Sequence, residues 1–339
     1  MIALHRVSGW CSRATLLLLL LGLATVLSAS TASAHAFLER SDPEANAVMP
    51  APPTTAQLWF TEPVEPKYSY AQLFDSKGTL VKTPESQVSG DPKQITLSLP
   101  SDLAKGTYTI QWRNVSSADG HPEAGYIPFT IGGQADVVVP APPVTTTIGT
   151  PPVWLNTLGR WLSLLGVTGA VGALFCWRWV ILPSSMSLTG PRRELVTRSI
   201  RRLALACVAV GLTGSLIALV VQAMAAAGTV SVASIGDVLR DTNYGQLWLI
   251  RVMLLAILGA VLSRQAIWDE QSGGRSWRLA GIIAVLALAP YAFISHAAAQ
   301  PTGRPAAIAA DWLHLVGTSA WIGGLLALAV SIVLATRGT

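Results

Sequence analysis

Two patterns of apolar residues divide the chain. From residue 35 to 132 apolar and polar positions alternate in short runs, whereas from 154 to 336 they condense into long stretches. The runs Gln57–Phe60, Tyr70–Phe74, Ile95–Leu99, Thr107–Val115 and Ile127–Ile131 are rich in β-branched and aromatic residues and predict strands. Asp75-Ser-Lys-Gly78 is a turn between two of them. Prolines at 43, 50, 52, 53, 63, 66, 84, 92 and 100 leave little room for helix. Short strands at this spacing predict an all-β Greek-key barrel or sandwich. The long runs cover 154–182, 203–227, 246–264, 279–295 and 312–336. Each is close to the roughly 20 residues that span a bilayer, which predicts an α-helical domain of five spans.

Residues 1–34 carry Arg6 and Arg13, the apolar stretch Ala14–Leu27 and the ending Ala32-Ser33-Ala34. A positive start, a short apolar middle and an A-x-A end describe a cleavable signal peptide. Gly132–Pro152 is rich in Pro, Thr and Val without amphipathic period and predicts an extended linker. The expected organisation is a signal peptide at 1–34, an exported β domain at 35–132, a linker at 133–153 and a membrane domain at 154–339.

Charge follows the same division. The overall pI of 9.3 invites a nucleic-acid partner, but the exported domain holds seven Lys or Arg against eleven acids. The basic excess lies beyond residue 153, where fourteen Arg face six acids and mostly flank the apolar runs. That is a topology signal rather than a phosphate-binding patch, and it argues against nucleic acid. Arg192, Arg193, Arg198, Arg201 and Arg202 fall in the first loop, Pro183–Arg202, and Arg264, Arg275 and Arg278 in the third. Both loops are therefore placed inside and residues 35–153 outside a bacterial cytoplasmic membrane. Cys11, Cys176 and Cys207 are the three cysteines, none of them in the exported domain, so neither a disulfide framework nor a thiolate site is predicted.

The exported domain has two histidines, His35 and His121. Cleavage after Ala34 would make His35 the first residue, able to offer its amine and its imidazole to one metal ion. His121 lies in the polar loop Ser116-Ser-Ala-Asp-Gly-His-Pro122, two residues after Asp119, so an extended segment sends both side chains to one face. Three nitrogens and a carboxylate oxygen suit Cu(II). The competing reading of Asp119-Gly-His-Pro is a tight turn in which the Asp caps backbone amides.

The start His35-Ala-Phe-Leu-Glu-Arg-Ser-Asp-Pro, the segment Phe60-Thr-Glu-Pro-Val64 and the stretch Tyr108-Thr-Ile-Gln-Trp-Arg-Asn-Val-Ser-Ser-Ala-Asp-Gly-His-Pro-Glu-Ala-Gly125 resemble the CopC family of periplasmic copper-binding proteins. The resemblance covers 35–132 and implies a Greek-key β fold with a Cu(II) site formed by His35, Asp119 and His121. It also suggests a supporting role beside the site for Glu62. Some members add a Met-rich loop for Cu(I). Here Met49 is the only methionine of the domain, so a Cu(II)-only module is expected.

In the membrane domain, Gly159, Gly166, Gly169 and Gly172 predict close helix packing. Arg251 lies within the third span, where a charge needs Asp241, Asp311 or the interface as partner. His296 ends the fourth span, and Asp311 and His314 begin the fifth on the same side, three apart and hence on one helical face. This cluster could receive a metal from the exported domain. Ser295-His-Ala297, the stretch from Asp311 to Leu328 and Thr242–Arg251 are similar to the CopD family of inner-membrane copper proteins. A CopC–CopD fusion implies copper uptake or resistance, with His296 and His314 as candidate membrane ligands and Cu(I) as a candidate species there. CopD domains commonly continue for several more spans, so another membrane subunit or a reductase is an expected partner. Three other readings are weighed: a copper-dependent oxygenase, which uses a similar N-terminal His set, a haem cytochrome with His296 and His314 as axial ligands, and a sensor or storage protein that binds copper without moving it. The non-enzymatic carrier is the expectation.

Overall fold

The computed structural model describes residues 36–88, 90–133, 151–185, 190–268, 273–300 and 302–336. The expected signal peptide, His35 and most of the linker lie outside these residues.

Nine strands form among the described residues. They are β1 (Leu38–Asp42), β2 (Ala47–Met49), β3 (Thr55–Phe60), β4 (Tyr70–Phe74), β5 (Leu80–Val81), β6 (Gln87–Val88), β7 (Gln94–Ser98), β8 (Gly106–Val115) and β9 (Pro122–Ile131). They build a sandwich of two sheets, ordered β1-β3-β7-β6 and β2-β9-β8-β4-β5. Alternation decides which side chains enter the core. In β3, Ala56, Leu58 and Phe60 point inward, with Leu58 opposite Ile95 and Ala56 opposite Leu97 on β7. In the facing sheet Ile110 sits between Leu73 and Ile127. Each fully buried aliphatic side chain contributes roughly 1.5–3 kcal/mol, and Phe60 meets Trp112 edge-on at 5.2 Å. The four strands beyond the expected five are β1, β2, β5 and β6. Three of them are two or three residues long, and β1, Leu-Glu-Arg-Ser-Asp, is too polar to show alternation. The longest ladder joins β8 to β9, from Gly106 opposite Ile131 to Val115 opposite Pro122. The loop Ser116–His121 is the turn that closes this hairpin.

The second half contains α1 (Val153–Ser184), α2 (Gly190–Ala227), α3 (Val232–Asp241), α4 (Asn243–Leu262), α5 (Ser276–Phe293) and α6 (Arg304–Thr336). All but α3 are long and apolar enough to cross a membrane, so the chain is a multi-pass membrane protein with five candidate spans. Two segments expected as loops are helical instead. α2 starts at Gly190 rather than near 203, because Arg, Leu and Glu are good helix formers and Arg198 pairs with Glu194 one turn earlier. Its 38 residues extend about 57 Å, well beyond a hydrocarbon core of about 30 Å. α3 is started by Ser231, whose side chain accepts from the Ser234 amide while the Ser234 hydroxyl accepts from the Ser231 amide.

Glycines let α1 touch its neighbours through backbone. A Cβ on Gly166 would lie 2.2 Å from the Gly211 nitrogen of α2, and one on Gly172 would lie 2.0 Å from the Ser319 carbonyl of α6. At that second contact α6 widens into a π turn, Ser319–Gly323.

The sandwich is docked on the helices rather than merely tethered to them. Tyr68 and Val115 pack against Leu219, Ala223, Ala226, Val238 and Trp248. The Arg113 guanidinium donates to the carbonyls of Ala225 and Ala226 (3.1 Å for the latter), which are left open at the end of α2. The Asn243 amide at the start of α4 donates to Glu65 Oε1 at 2.9 Å, and the Asn243 side chain donates to the Ser117 carbonyl at 2.9 Å. Lys67 pairs with Asp237 at 3.0 Å and Asp241 at 2.7 Å on α3. The docked end is the one opposite the arginine cluster, since Arg202 and Ala226 are 24 residues, about 36 Å, apart on one helix.

Gly172→Val places a branched side chain where backbone already sits, and is expected to lower stability by at least roughly 2 kcal/mol, read as thermal unfolding in detergent. Burial pushes the Glu65 carboxyl above its ordinary value, against the smaller opposing effect of the Asn243 amide. A raised carboxyl favours the docked form when protonated. Its contribution is therefore full below the ordinary carboxylate range and is lost as pH rises through the raised value. Glu65→Gln keeps an acceptor for Asn243 without the charge. The difference in melting temperature between variant and wild type is expected to grow in the variant's favour as pH rises from 4.5 to 7, and a difference independent of pH would contradict it.

Candidate metal centre

The hairpin turn is built from its own hydrogen bonds. The Ser116 amide donates to the His121 carbonyl at 2.9 Å and the Gly120 amide to the Ser116 carbonyl at 2.9 Å. The Ser116 hydroxyl donates to Glu62 Oε2 at 2.7 Å and accepts from the Ala118 amide at 3.1 Å. Glu62, buried at 3% exposure, thus supports the base of the turn. Gly120 has φ +76°, and a Cβ there would lie 2.8 Å from the Gln222 side chain of α2, whose nitrogen donates to the Gly120 carbonyl at 2.8 Å. Only glycine satisfies both the left-handed backbone and that approach.

The turn brings Asp119 and His121 together. Asp119 Oδ1 accepts from the His121 amide at 3.0 Å, and Oδ2 lies 2.7 Å from the His121 ring Nδ1. The carboxylate therefore caps the turn and also orients the imidazole, so the turn reading and the site reading describe one arrangement. The other ring nitrogen, Nε2, lies 2.8 Å from the guanidinium of Arg160 on α1. His35 is outside the described residues. Its neighbour Ala36 is buried, and the Ala36 carbonyl accepts from the Asn114 side chain at 2.7 Å, two residues before the turn begins. Among the described residues no group of three or more His, Cys, Asp or Glu side chains is close enough to hold a metal. The Asp119–His121 pair needs a further donor to do so.

Residues of both expected sites line one space. A cavity of about 290 Å³ is lined by Asp119 and His121 from the turn, Asn156, Arg160 and Ser163 from α1, Gln222 from α2, Tyr244 and Arg251 from α4, Tyr291 from α5, Ser295 and His296 just beyond it, and Asp311 and Leu315 from α6. It has room for on the order of ten waters. Its walls carry two carboxylates and two guanidinium groups beside the imidazoles. His296 lines it while remaining exposed at the start of a short 3₁₀ turn.

His314 departs from expectation. It is exposed and does not line the cavity, although Asp311 does. The stripe facing the cavity runs from Asp311 to Leu315, and His314 is turned about 100° from Leu315 around the helix. The structure therefore leaves His314 off the lining that His296 and Asp311 share. Arg251 departs too. It is 4% exposed, so it does not snorkel, and Asp241 is taken by Lys67. Its guanidinium lies over the rings of Tyr291 (5.0 Å) and Tyr244 (6.0 Å), while Nε and Nη2 are without hydrogen-bond partners.

Beneath the cavity, Ser163 Oγ meets Ser215 Oγ at 3.0 Å and the Tyr291 hydroxyl at 2.7 Å, and Trp248 donates to the Ser215 carbonyl at 2.7 Å. Below this floor the helices pack through Val167, Val171, Leu174, Leu255 and Leu258, all fully buried. Arg160 and Gln222 carry no signal in the sequence because their roles arise only when the two domains meet, and Asn114 carries none because its partner is the backbone of Ala36, distant in the chain.

Comparison with known proteins places this geometry. Residues 38–132 match the CopC domain, and residues 150–306 match the copper resistance protein D-like, N-terminal domain. The copper transport protein CutJ of Bacillus subtilis (strain 168) is 29% identical over 316 residues, which is 91% of this chain and 56% of CutJ. The chain thus spans little more than half the length of that relative. Protein YobA of Escherichia coli (strain K12) is 37% identical over 110 residues, 32% of this chain and 88% of YobA. The crystal structure of CopC from Methylosinus trichosporium OB3b is 35% identical and covers 31% of this chain and all of that one, with a TM-score of 0.27. The chain belongs to the CopC family, its copper resistance protein C-like domain being followed by a domain of the copper resistance protein D-like type.

Proposed function

We propose that this protein is a carrier that captures copper outside the bacterial cytoplasmic membrane and passes it to the membrane domain, in copper resistance or uptake. Cu(II) is held by the amine and imidazole of His35, freed by cleavage after Ala34, and by Nε2 of His121, with Asp119 holding the ring from its Nδ1 side. It is handed to His296 and Asp311 for movement to or across the membrane. The observation that carries this reading is the single cavity lined by Asp119 and His121 on one side and by His296 and Asp311 on the other. A metal leaving the turn enters a space already furnished with a second imidazole and carboxylate.

The donor chemistry supports Cu(II) at the turn. Imidazole and carboxylate groups suit the cupric ion, whereas cuprous ion favours thiolate and thioether. Met49 lies on β2, and both described cysteines are in spans. The carboxylate behind His121 fixes the ring as outer partners of metal-bound histidines do. The tether from Asn114 to Ala36 supports the contribution of His35, since the residue bonded to Ala36 starts from the end of the sandwich where the turn lies. The turn faces the helices, which favours a hand-off to the membrane domain over an oxygenase that needs an open substrate face.

Mature protein purified in detergent is expected to begin at His35 on N-terminal sequencing and to give a tetragonal, nitrogen-rich EPR signal with one equivalent of Cu(II). His121→Ala is expected to abolish that signal and weaken Cu(II) binding by more than roughly 100-fold, and Asp119→Asn to weaken it by about 10- to 100-fold. His314→Ala is expected to change neither. A mature chain that begins elsewhere, or an unchanged signal in His121→Ala, would remove the proposed coordination.

A further inference from the structure

The nitrogen of His121 that faces away from Asp119 is already engaged. Asp119 fixes the ring through Nδ1 at 2.7 Å and the backbone amide at 3.0 Å. Arg160 Nη2 lies 2.8 Å from Nε2. A guanidinium has donors only, so Nε2 in this contact presents its lone pair and Nδ1 carries the proton given to Asp119. This is the same tautomer, and the same lone pair, that a metal ion would use. One lone pair cannot serve both, because a metal–imidazole bond of about 2.0 Å fills the space in which the guanidinium sits.

Charge points the same way. Asp119 and Asp311 balance Arg160 and Arg251 around the cavity while the imidazoles are neutral. An arriving dication upsets that balance unless a resident cation withdraws. Arg251 is buried in the bundle, but Arg160 is exposed, seven residues from the start of α1, on a long side chain free to swing toward water.

We propose that Arg160 is the exchange partner of the metal at His121: guanidinium and copper occupy Nε2 alternately, and the return of Arg160 drives copper off the turn into the cavity. The assignment rests on the reading of His121 as a copper ligand. It makes Arg160 a positioning residue that sets how readily the metal is released, rather than a ligand.

The test uses the full-length protein in lipid nanodiscs. Cu(II) affinity is read by competition with a chelator, and release by stopped-flow transfer to excess chelator, for wild type, Arg160→Leu, Arg160→Lys and His121→Ala. Breaking a charge-assisted hydrogen bond opposes binding, so Arg160→Leu is expected to bind copper roughly 10- to 100-fold more tightly and to release it correspondingly more slowly. Arg160→Lys, which keeps a charged donor, is expected to stay near wild type, and it serves if the leucine variant does not fold. A contact that only clamps the domains together would give the opposite sign, since loosening the site cannot tighten it. Unchanged or weaker binding in Arg160→Leu overturns the proposal, as does tightening in Arg160→Lys equal to that expected for full loss of the contact. Copper retained unchanged in His121→Ala overturns the ligand assignment itself, and the two failures are thereby distinguished.

Discussion

The arrangement depends on how the β8–β9 hairpin is seated on the end of α2. Arg113, near the turn end of the hairpin, satisfies carbonyls that the helix leaves open at Ala225 and Ala226, and Gln222 one turn earlier holds the Gly120 carbonyl at the tip. These contacts fix the depth at which His121 meets α1. They are not equal in strength. The exposed pairs of Lys67 with Asp237 and Asp241 contribute little and are screened by salt. Hydrogen bonds from the buried Arg113 carry the larger share, about 1.5–3 kcal/mol each, because they are charge-assisted and sit at the negative end of a helix dipole. Tyr68 and Val115, packed on Leu219, Ala223 and Trp248, exclude the water that would compete with them.

Much of this was legible before any coordinates. Period-two alternation located the five strands that carry the sandwich core, and bilayer length located five spans, since both are set by local pattern. What escaped was set elsewhere. The apolar window that locates α2 ends where the arginines begin, but the helix does not, because Arg and Glu extend a helix as readily as they leave a membrane. β1 is a strand only because its backbone pairs with β3 at the sheet edge, from Leu38 opposite Phe60 to Asp42 opposite Gln57. For the site, the turn residues Asp119 and His121 announced themselves by spacing, and Asp311 by its depth. The phase of His314 was beyond that resolution: residues three apart share a broad face, but a cavity sees a narrower stripe. Arg160 carried no signal, being one more cation near the end of an apolar run.

The cavity carries charged and hydroxyl groups in a setting where they are costly. Its floor is a small network in which Ser163, Ser215 and Tyr291 satisfy one another, backed by glycines that bring α1 and α2 into backbone contact. Close approach and a satisfied network belong together: without Gly166 and Gly214 the helices would stand further apart, and the hydroxyls would lose their partners. Beneath the floor the packed layer of Val167, Val171, Leu174, Leu255 and Leu258 separates the cavity from the arginine-rich end.

Arg251 bears on what can occupy the lower part of that cavity. A buried guanidinium costs several kcal/mol unless compensated, and here the faces of Tyr244 and Tyr291 offset only part of that cost. A dication held about 8 Å from it would be repelled by roughly 4 kcal/mol at an effective dielectric constant of about 20, and a monocation by about half as much. Asp311, on the same cavity wall, offsets one charge but not two. The cost of a cation beside Arg251 therefore rises with its charge, and with Asp311 on the cavity lining a monocation is the better electrostatic match there than a dication.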